Sequence, residues 1–278
     1  MRQNPVQRTM VAGLITYLAW WFALELTGMQ VSAILALMEK DLLALLPTGS
    51  GKTLCMWGIV AFSDRILNGD PRGLQRIPMD NPAFVRPILI VISPLLNLMK
   101  SQCTAFNLLH GATVTGTFAT FINQDQTDEA ILSGFHTGRT PFSVIYMTAE
   151  GATGVWAYLF QMVHFKKRIV ALAVDEAHCI IHWGASFRTA YARLFEVRQE
   201  LGLRVPCITL SATLTPVEQI MYRTTCLAEC ACVGAASESV ACTSSPCALP
   251  PPRLSSFTCC ALLVMCSQAK YFSGRQNL

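Results

Sequence analysis

The feature that most constrains this chain is an apolar run at residues 42–46 that ends in Pro47-Thr48-Gly49-Ser50-Gly51-Lys52-Thr53 and passes at once into a helical periodicity. A strand, a glycine loop and a helix in that order place several backbone N–H groups around one point. Such a loop wraps a polyphosphate, and the helix behind it presents its positive end to the same charge. Gly49 and Gly51 supply turn conformations and a close approach that a side chain obstructs. Lys52 is placed to reach the outer phosphates, and the Thr53 hydroxyl to ligate Mg²⁺. Leu46 stands where the strict form of this loop has Gly. The expectation is an ATP site held by Thr48, Gly49, Ser50, Gly51, Lys52 and Thr53.

From residue 42 to about 222, short apolar runs alternate with longer helical periodicities, the pattern of a parallel sheet with helices on both faces. The predicted strands are 42–46, 88–92, 112–115, 143–147, 169–174 and 207–210. The predicted helices are 52 to about 67, 95–109, 125–132, 155–165, 187–201 and 216 to about 222. Each strand is almost continuously apolar, as burial on both faces demands. Residues 68–87 are rich in Pro, Gly and Arg and read as a loop.

Composition bounds the alternatives. Apolar residues make up 52% and charged residues 14%, which favours a well-filled core and raises the question of a membrane. An uncharged run from Met10 to Leu24, after Arg2 and Arg8, has the outline of a leader. It is shorter than the roughly 20 residues a bilayer needs, and Glu25 follows directly. It reads instead as a buried helix leading into the nucleotide site, with Tyr17, Trp20, Trp21 and Leu24 on adjoining turns, and no membrane partner is expected. The formal charge of +4 is too slight to indicate nucleic-acid binding by itself.

Twelve cysteines divide into two groups. Cys55, Cys103, Cys179 and Cys207 fall inside apolar periodic segments and read as reduced core residues. Eight more follow residue 225 beside the run Pro250-Pro251-Pro252, with no strand or helix period. That segment has no C-x-x-C pair and no His, so it reads as an irregular, poorly ordered tail rather than a zinc module. The division expected is an apolar helix or leader at 1–19, an ATP-binding domain at 20–222 and a Cys/Ser/Pro-rich tail at 223–278.

Two further signals end apolar strands. The run 169–174 leads into Asp175-Glu176-Ala177-His178. Carboxylates at the carboxyl edge of a parallel sheet sit where ligands bind. Asp175 suits Mg²⁺ and Glu176 the attacking water, while His178, one turn on, would couple the nucleotide to a neighbouring element. Thr209-Leu210-Ser211-Ala212-Thr213 closes the last strand, and the hydroxyls of Ser211 and Thr213 are expected to bond the acidic segment. Thr215-Pro216 with Glu218 has the form of a helix start.

Taken in order, these segments resemble the first motor domain of superfamily 2 helicases, and in detail the RecQ-like DNA helicases, over residues 20–222. The resemblance implies a RecA-like P-loop NTPase fold and a DEAH-type box. It also implies hydrolysis of ATP coupled to single-stranded or forked DNA, 3′-to-5′ polarity, and a nuclear location, or a cytoplasmic one in a prokaryote. Gln30 stands where the family reads adenine. The run from Val91 to Gln102, with Ser93 and Lys100, is similar to a strand-to-helix segment that touches the DNA backbone. Tyr146-Met147-Thr148-Ala149-Glu150 resembles the next DNA-facing motif, with Ala149 where Pro is usual and Thr148 as the contact.

After the acidic box, Trp183, Phe187 and Arg188 match an aromatic-rich loop that senses single-stranded DNA in the family. Rings there stack on any base, and Arg contacts phosphate. The loop departs from the family at Ile181, His182 and Ala185-Ser186. Nothing after residue 222 resembles the second motor domain, which in the family supplies arginine fingers, so that domain is expected from another chain or is missing. The competing expectation is a nucleotide- and nucleic-acid-binding remnant without motor activity.

Overall fold

The computed structural model describes residues 13, 15–19, 21, 25–37, 40–69, 85–110, 118–123, 128–137, 140–179, 189–202, 205–225 and 230–234. In chain order the elements are α1 (Gly28–Leu37), β1 (Asp41–Leu45), α2 (Lys52–Asn68), β2 (Ile88–Ile92), α3 (Leu96–His110), β3 (Phe118–Ile122) and α4 (Glu129–Thr137). They continue with β4 (Phe142–Met147), α5 (Ala149–Thr153), α6 (Val163–Lys166), β5 (Ile169–Val174), α7 (Leu194–Leu201), β6 (Cys207–Ser211), α8 (Pro216–Thr225) and β7 (Cys230–Gly234). Single 3₁₀ turns occupy Ala157–Phe160 and Thr189–Tyr191.

Seven strands form one sheet in the order β3-β4-β2-β5-β6-β1-β7, and every pairing is parallel. Parallel neighbours need long crossovers, which the helices supply. The strand residues sort by parity into two cores. Leu42, Ala44, Leu89, Val91, Val144, Tyr146, Ala171 and Ala173 join α1, α2 and α3 on one face. Leu43, Ile88, Ile90, Ile92, Ile145, Met147, Leu172 and Val174 join α5, α6 and α7 on the other. This two-residue alternation explains why the strands read as unbroken apolar runs.

Aromatic side chains lock the first face. Trp57 of α2 donates from Nε1 to the Tyr146 hydroxyl of β4 at 2.8 Å. Its ring meets Phe106 of α3 edge-on at 5.2 Å, and Trp21 approaches the same Phe106 at 5.8 Å. Leu18 and Trp21 are buried, so the described part of the N-terminal apolar run packs on the domain. Tyr17 donates to Asp64 Oδ2 at 3.0 Å. Trp20 and Leu24 lie outside the described residues. Among the described residues no helix is long and apolar enough to cross a membrane.

Several elements differ in extent from the sequence expectation or fall outside the described residues. The strand predicted at 112–115 lies outside the described residues, and the edge strand is Phe118–Ile122. Only one of its sides is paired with another strand. On α3, the Asn107 side chain accepts from Ala119 N–H at 2.7 Å and donates to its carbonyl at 3.0 Å, as a ladder partner does. The helix predicted at 125–132 runs from Glu129 to Thr137, because Asp128 accepts the Ile131 N–H at 3.3 Å and so caps it. The helix predicted at 155–165 breaks into a 3₁₀ turn and α6, with Met162 extended between them. That predicted at 187–201 becomes a 3₁₀ turn and α7, while Phe187 and Arg188 lie outside the described residues.

After Tyr222, where no strand period is legible, α8 continues to Thr225 and Cys230–Gly234 pairs with β1 from Asp41↔Cys230 to Leu45↔Gly234. An edge strand of small residues shows little patterning of its own. The capping motif read at Thr215 and Glu218 is formed. Thr215 N–H donates to Glu218 Oε2 at 2.6 Å, and Glu218 N–H returns to Thr215 Oγ1 at 3.3 Å.

One buried ion pair ties the far side of β1. Arg198 of α7 donates to both Asp41 oxygens, at 2.7 and 3.0 Å, and the Cys207 N–H reaches Asp41 Oδ1 at 2.8 Å. Cys55, Cys103, Cys179 and Cys207 are buried, as expected of core residues.

Candidate nucleotide site and nucleic-acid face

Because all strands run the same way, the residues that follow β1, β5 and β6 gather at one edge of the sheet. The loop after β1 is anchored first, by Leu46 N–H donating to Ser211 O at 3.1 Å. Ser50 closes a turn, its N–H and hydroxyl both donating to Pro47 O at 3.2 and 2.6 Å. Gly49 and Gly51 have φ values of 81° and 78°, left-handed conformations that L side chains resist. Gly51 is the N-cap of α2 and, being glycine, makes no side-chain cap bond to it. A helix start left uncapped is suited to an anion. Lys52 and Thr53 form its first turn and are half-buried, while Thr48 and Gly49 are exposed.

Gln30 of α1 lies against this loop and is buried. Its Nε2 donates to Ser50 O at 3.0 Å and its Oε1 accepts Thr27 N–H at 2.8 Å. A Cβ on Gly51 would come within 2.4 Å of that Nε2, so a side chain there would push the Gln30 amide away from Ser50. Gln30 therefore braces the loop.

The acidic turn faces the loop from β5. Asp175 N–H continues the ladder to Ile92 O at 2.9 Å, and Ala177 N–H reaches Leu210 O at 2.8 Å. Asp175 is 4% exposed. Its Oδ1 accepts Glu176 N–H at 3.0 Å and its Oδ2 accepts Gln102 Nε2 at 3.2 Å. Burial pushes the Asp175 carboxyl above its ordinary range, against the Gln102 bond and the positive charge of Lys52, which pull it down. Glu176 is half-exposed with φ 48°, an uncommon conformation for a residue with a side chain. Its Oε2 lies 3.4 Å from His178 Nδ1.

The Ser211 hydroxyl is taken up within its own turn rather than by the acidic segment. It donates to Thr213 O at 3.1 Å and accepts Thr213 N–H at 3.3 Å. The links to the acidic turn and the glycine loop are made instead by the Leu210 and Ser211 carbonyls.

The expected nucleic-acid residues divide. Ser93 is fully buried, so its hydroxyl faces the interior rather than a bound strand. Thr148 caps α5 by accepting Gly151 N–H at 3.1 Å. Lys100 is exposed, with its Nζ 5.8 Å from the Phe121 ring centre. Trp183, Phe187 and Arg188 lie outside the described residues.

Gln102 was not singled out from sequence as a site residue. Its signal is a polar side chain on the buried stripe Met99, Gln102, Cys103 and Phe106 of α3. Among the described residues no three His, Cys, Asp or Glu side chains cluster as a metal cage. Mg²⁺ needs none, since it is held by one or two carboxylates together with water and phosphate oxygens. The oxygen donors Thr53 and Asp175 fit that ion.

Residues 27–220 match the DEAD/DEAH box helicase family. The chain belongs to that family.

Among curated relatives, this DEAD/DEAH box helicase domain is 29% identical to "ATP-dependent DNA helicase Q5" of Rattus norvegicus over 196 residues, 69% of this chain and 18% of the relative. It is 29% identical over 182 residues to "ATP-dependent DNA helicase RecQ" of Bacillus subtilis, 64% of this chain and 25% of that one. The chain thus spans 18% of the length of the rat relative and 17% of its mouse counterpart. Among solved structures, the fold is similar to the DUF1998 helicase MrfA bound to DNA, with TM-score 0.58 and 16% identity over 84% of this chain and 30% of that one. The Pyrococcus furiosus Hef helicase domain gives TM-score 0.52 and 16% identity over 75% of this chain and 38% of that one. These two likenesses show the RecA-like helicase fold, as expected from sequence.

Proposed function

We propose that the chain binds ATP with Mg²⁺ and hydrolyses it as the first motor domain of a RecQ-type 3′-to-5′ DNA helicase. The observation that carries this reading is the left-handed glycine loop before α2 and the turn of buried Asp175, both hydrogen-bonded to the end of β6. The RecQ and Q5 names of the curated relatives support the finer assignment. The resemblance of the sequence to RecQ-like helicases implies in addition a role in DNA recombination and repair, in the nucleus of a eukaryote or the cytoplasm of a prokaryote.

In this mechanism the backbone of Thr48 to Gly51 surrounds the phosphates and Lys52 engages the outer two. Thr53 and Asp175 would hold Mg²⁺, which when bound would offset the charge of the phosphates. Glu176, on its strained φ, orients the attacking water and takes its proton. His178 beside it senses the state of that carboxylate. Gln30 holds the loop in shape and, as the family resemblance implies, reads adenine. Lys100, with Trp183, Phe187 and Arg188, carries the DNA contact. Arginine fingers come from a second motor domain, in a longer chain or a partner.

A nucleotide-binding protein without motor activity is the second reading, favoured by Ala185-Ser186 where the family has His-Asp. Single-turnover hydrolysis with and without single-stranded DNA separates the two. Stimulation by DNA supports the motor. Binding without turnover under either condition contradicts it.

A further inference from the structure

Gln102 is the one residue outside the expected site set whose side chain bonds directly to an expected metal ligand among the described residues. It lies on α3, two residues after the exposed Lys100, and is 9% exposed. Its Nε2 donates to Asp175 Oδ2 at 3.2 Å. The Oε1 of the same amide is buried without a partner among the described residues, as is the hydroxyl of Ser93 at the other end of this segment. Ser93 and Asp175 directly follow Ile92 and Val174, which are paired in the β2–β5 ladder, so both stand at the same sheet edge.

A buried acceptor left without a donor is a cost that folded proteins rarely carry away from functional sites. An apolar residue at 102 would avoid it and would continue the stripe of Met99, Cys103 and Phe106. The amide can be oriented in only one sense here, because reversing it would set a carbonyl oxygen against the Asp175 carboxylate. In that sense it fixes one carboxylate oxygen, while the Glu176 N–H fixes the other. Each oxygen keeps a lone pair for a further partner.

We propose that Gln102 is the positioning residue for Asp175, holding its carboxylate in the orientation that receives Mg²⁺, with the unpartnered Oε1 accepting from a water of the ion's hydration shell. The inference rests on the nucleotide-site reading above. It also makes α3, the helix of Lys100, a direct support of the metal ligand.

The test is Gln102→Met, which keeps length and packing but removes the amide, with Gln102→His as the conservative variant that retains an N–H donor at similar reach. The full chain, freed of metal with EDTA, is titrated with a fluorescent ATP analogue at stepped Mg²⁺ concentrations, and thermal unfolding is followed without nucleotide. Gln102→Met is expected to raise the Mg²⁺ needed for half-saturation about fivefold or more. Metal-free nucleotide affinity and the unfolding midpoint stay at the parent's values, and Gln102→His recovers part of the loss. An unchanged Mg²⁺ requirement in Gln102→Met overturns the proposal, as does an equal fall in metal-free and metal-bound affinity. A parent chain whose nucleotide binding ignores Mg²⁺ overturns the nucleotide-site reading itself, and this inference with it.

Discussion

Gln30 and Gly51 are matched in space: the Gln30 Nε2 that donates to Ser50 O at 3.0 Å occupies the position where a Gly51 Cβ would come within 2.4 Å. At Gly49 a Cβ would meet nothing within 4 Å, so only its φ of 81° opposes substitution. Gly51→Ala is therefore expected to damage nucleotide binding more than Gly49→Ala, beyond the roughly 1–2 kcal/mol of left-handed backbone strain they share. Equilibrium binding of ATP to both variants checks the order. In a Gln30→Ala background the gap between them should close.

The ion pair of Asp41 and Arg198 predicts a stability effect remote from the site. Asp41→Ala leaves the buried guanidinium and the Cys207 N–H without this acceptor. The expected loss is about 3–5 kcal/mol in chemical denaturation. A change within about 0.5 kcal/mol, as at an exposed surface position, would contradict it.

In the proposed mechanism Glu176 carries the chemistry and not the binding. Glu176→Gln keeps the shape of the turn and removes the base, so hydrolysis should fall by about 10²–10⁴-fold. ATP affinity should be retained. Pre-steady-state hydrolysis and equilibrium binding on the same preparation separate the two quantities.

Burial pushes the Cys55 and Cys103 thiols up from 9.0 to about 12. Because the folded values exceed the unfolded ones, ionisation favours the unfolded chain between these limits. Stability is fully present below about pH 9 and declines as pH rises toward 12. Alkylation at pH 8 should spare both thiols in the native protein and label both after denaturation.

The sheet core was legible because strands buried on both faces show as unbroken apolar runs: 88–92 and 169–174 coincide with β2 and β5. The edges were not. β3 is completed on one side by the Asn107 side chain, and β7 by the backbone of β1. Neither partner leaves a mark in the strand's own sequence. The loop and acidic turn were legible because phosphate contact demands glycine, lysine and carboxylate at set spacings. Gln102 escaped notice because its bond to Asp175 depends on α3 reaching the turn after β5, a tertiary fact that a single polar residue on an apolar stripe only hints at. The same limit explains Ser211, whose hydroxyl turned out to serve its own turn while its carbonyl makes the long-range link.

The central claim is that the loop from Thr48 to Thr53, closed by Asp175, is a nucleotide site. Equilibrium dialysis of Mg²⁺-ATP against the parent chain and Lys52→Ala tests it most directly, with thermal unfolding as the control for folding. Saturable binding by the parent, abolished in a folded Lys52→Ala, is the predicted result. Undiminished binding by Lys52→Ala would contradict the account.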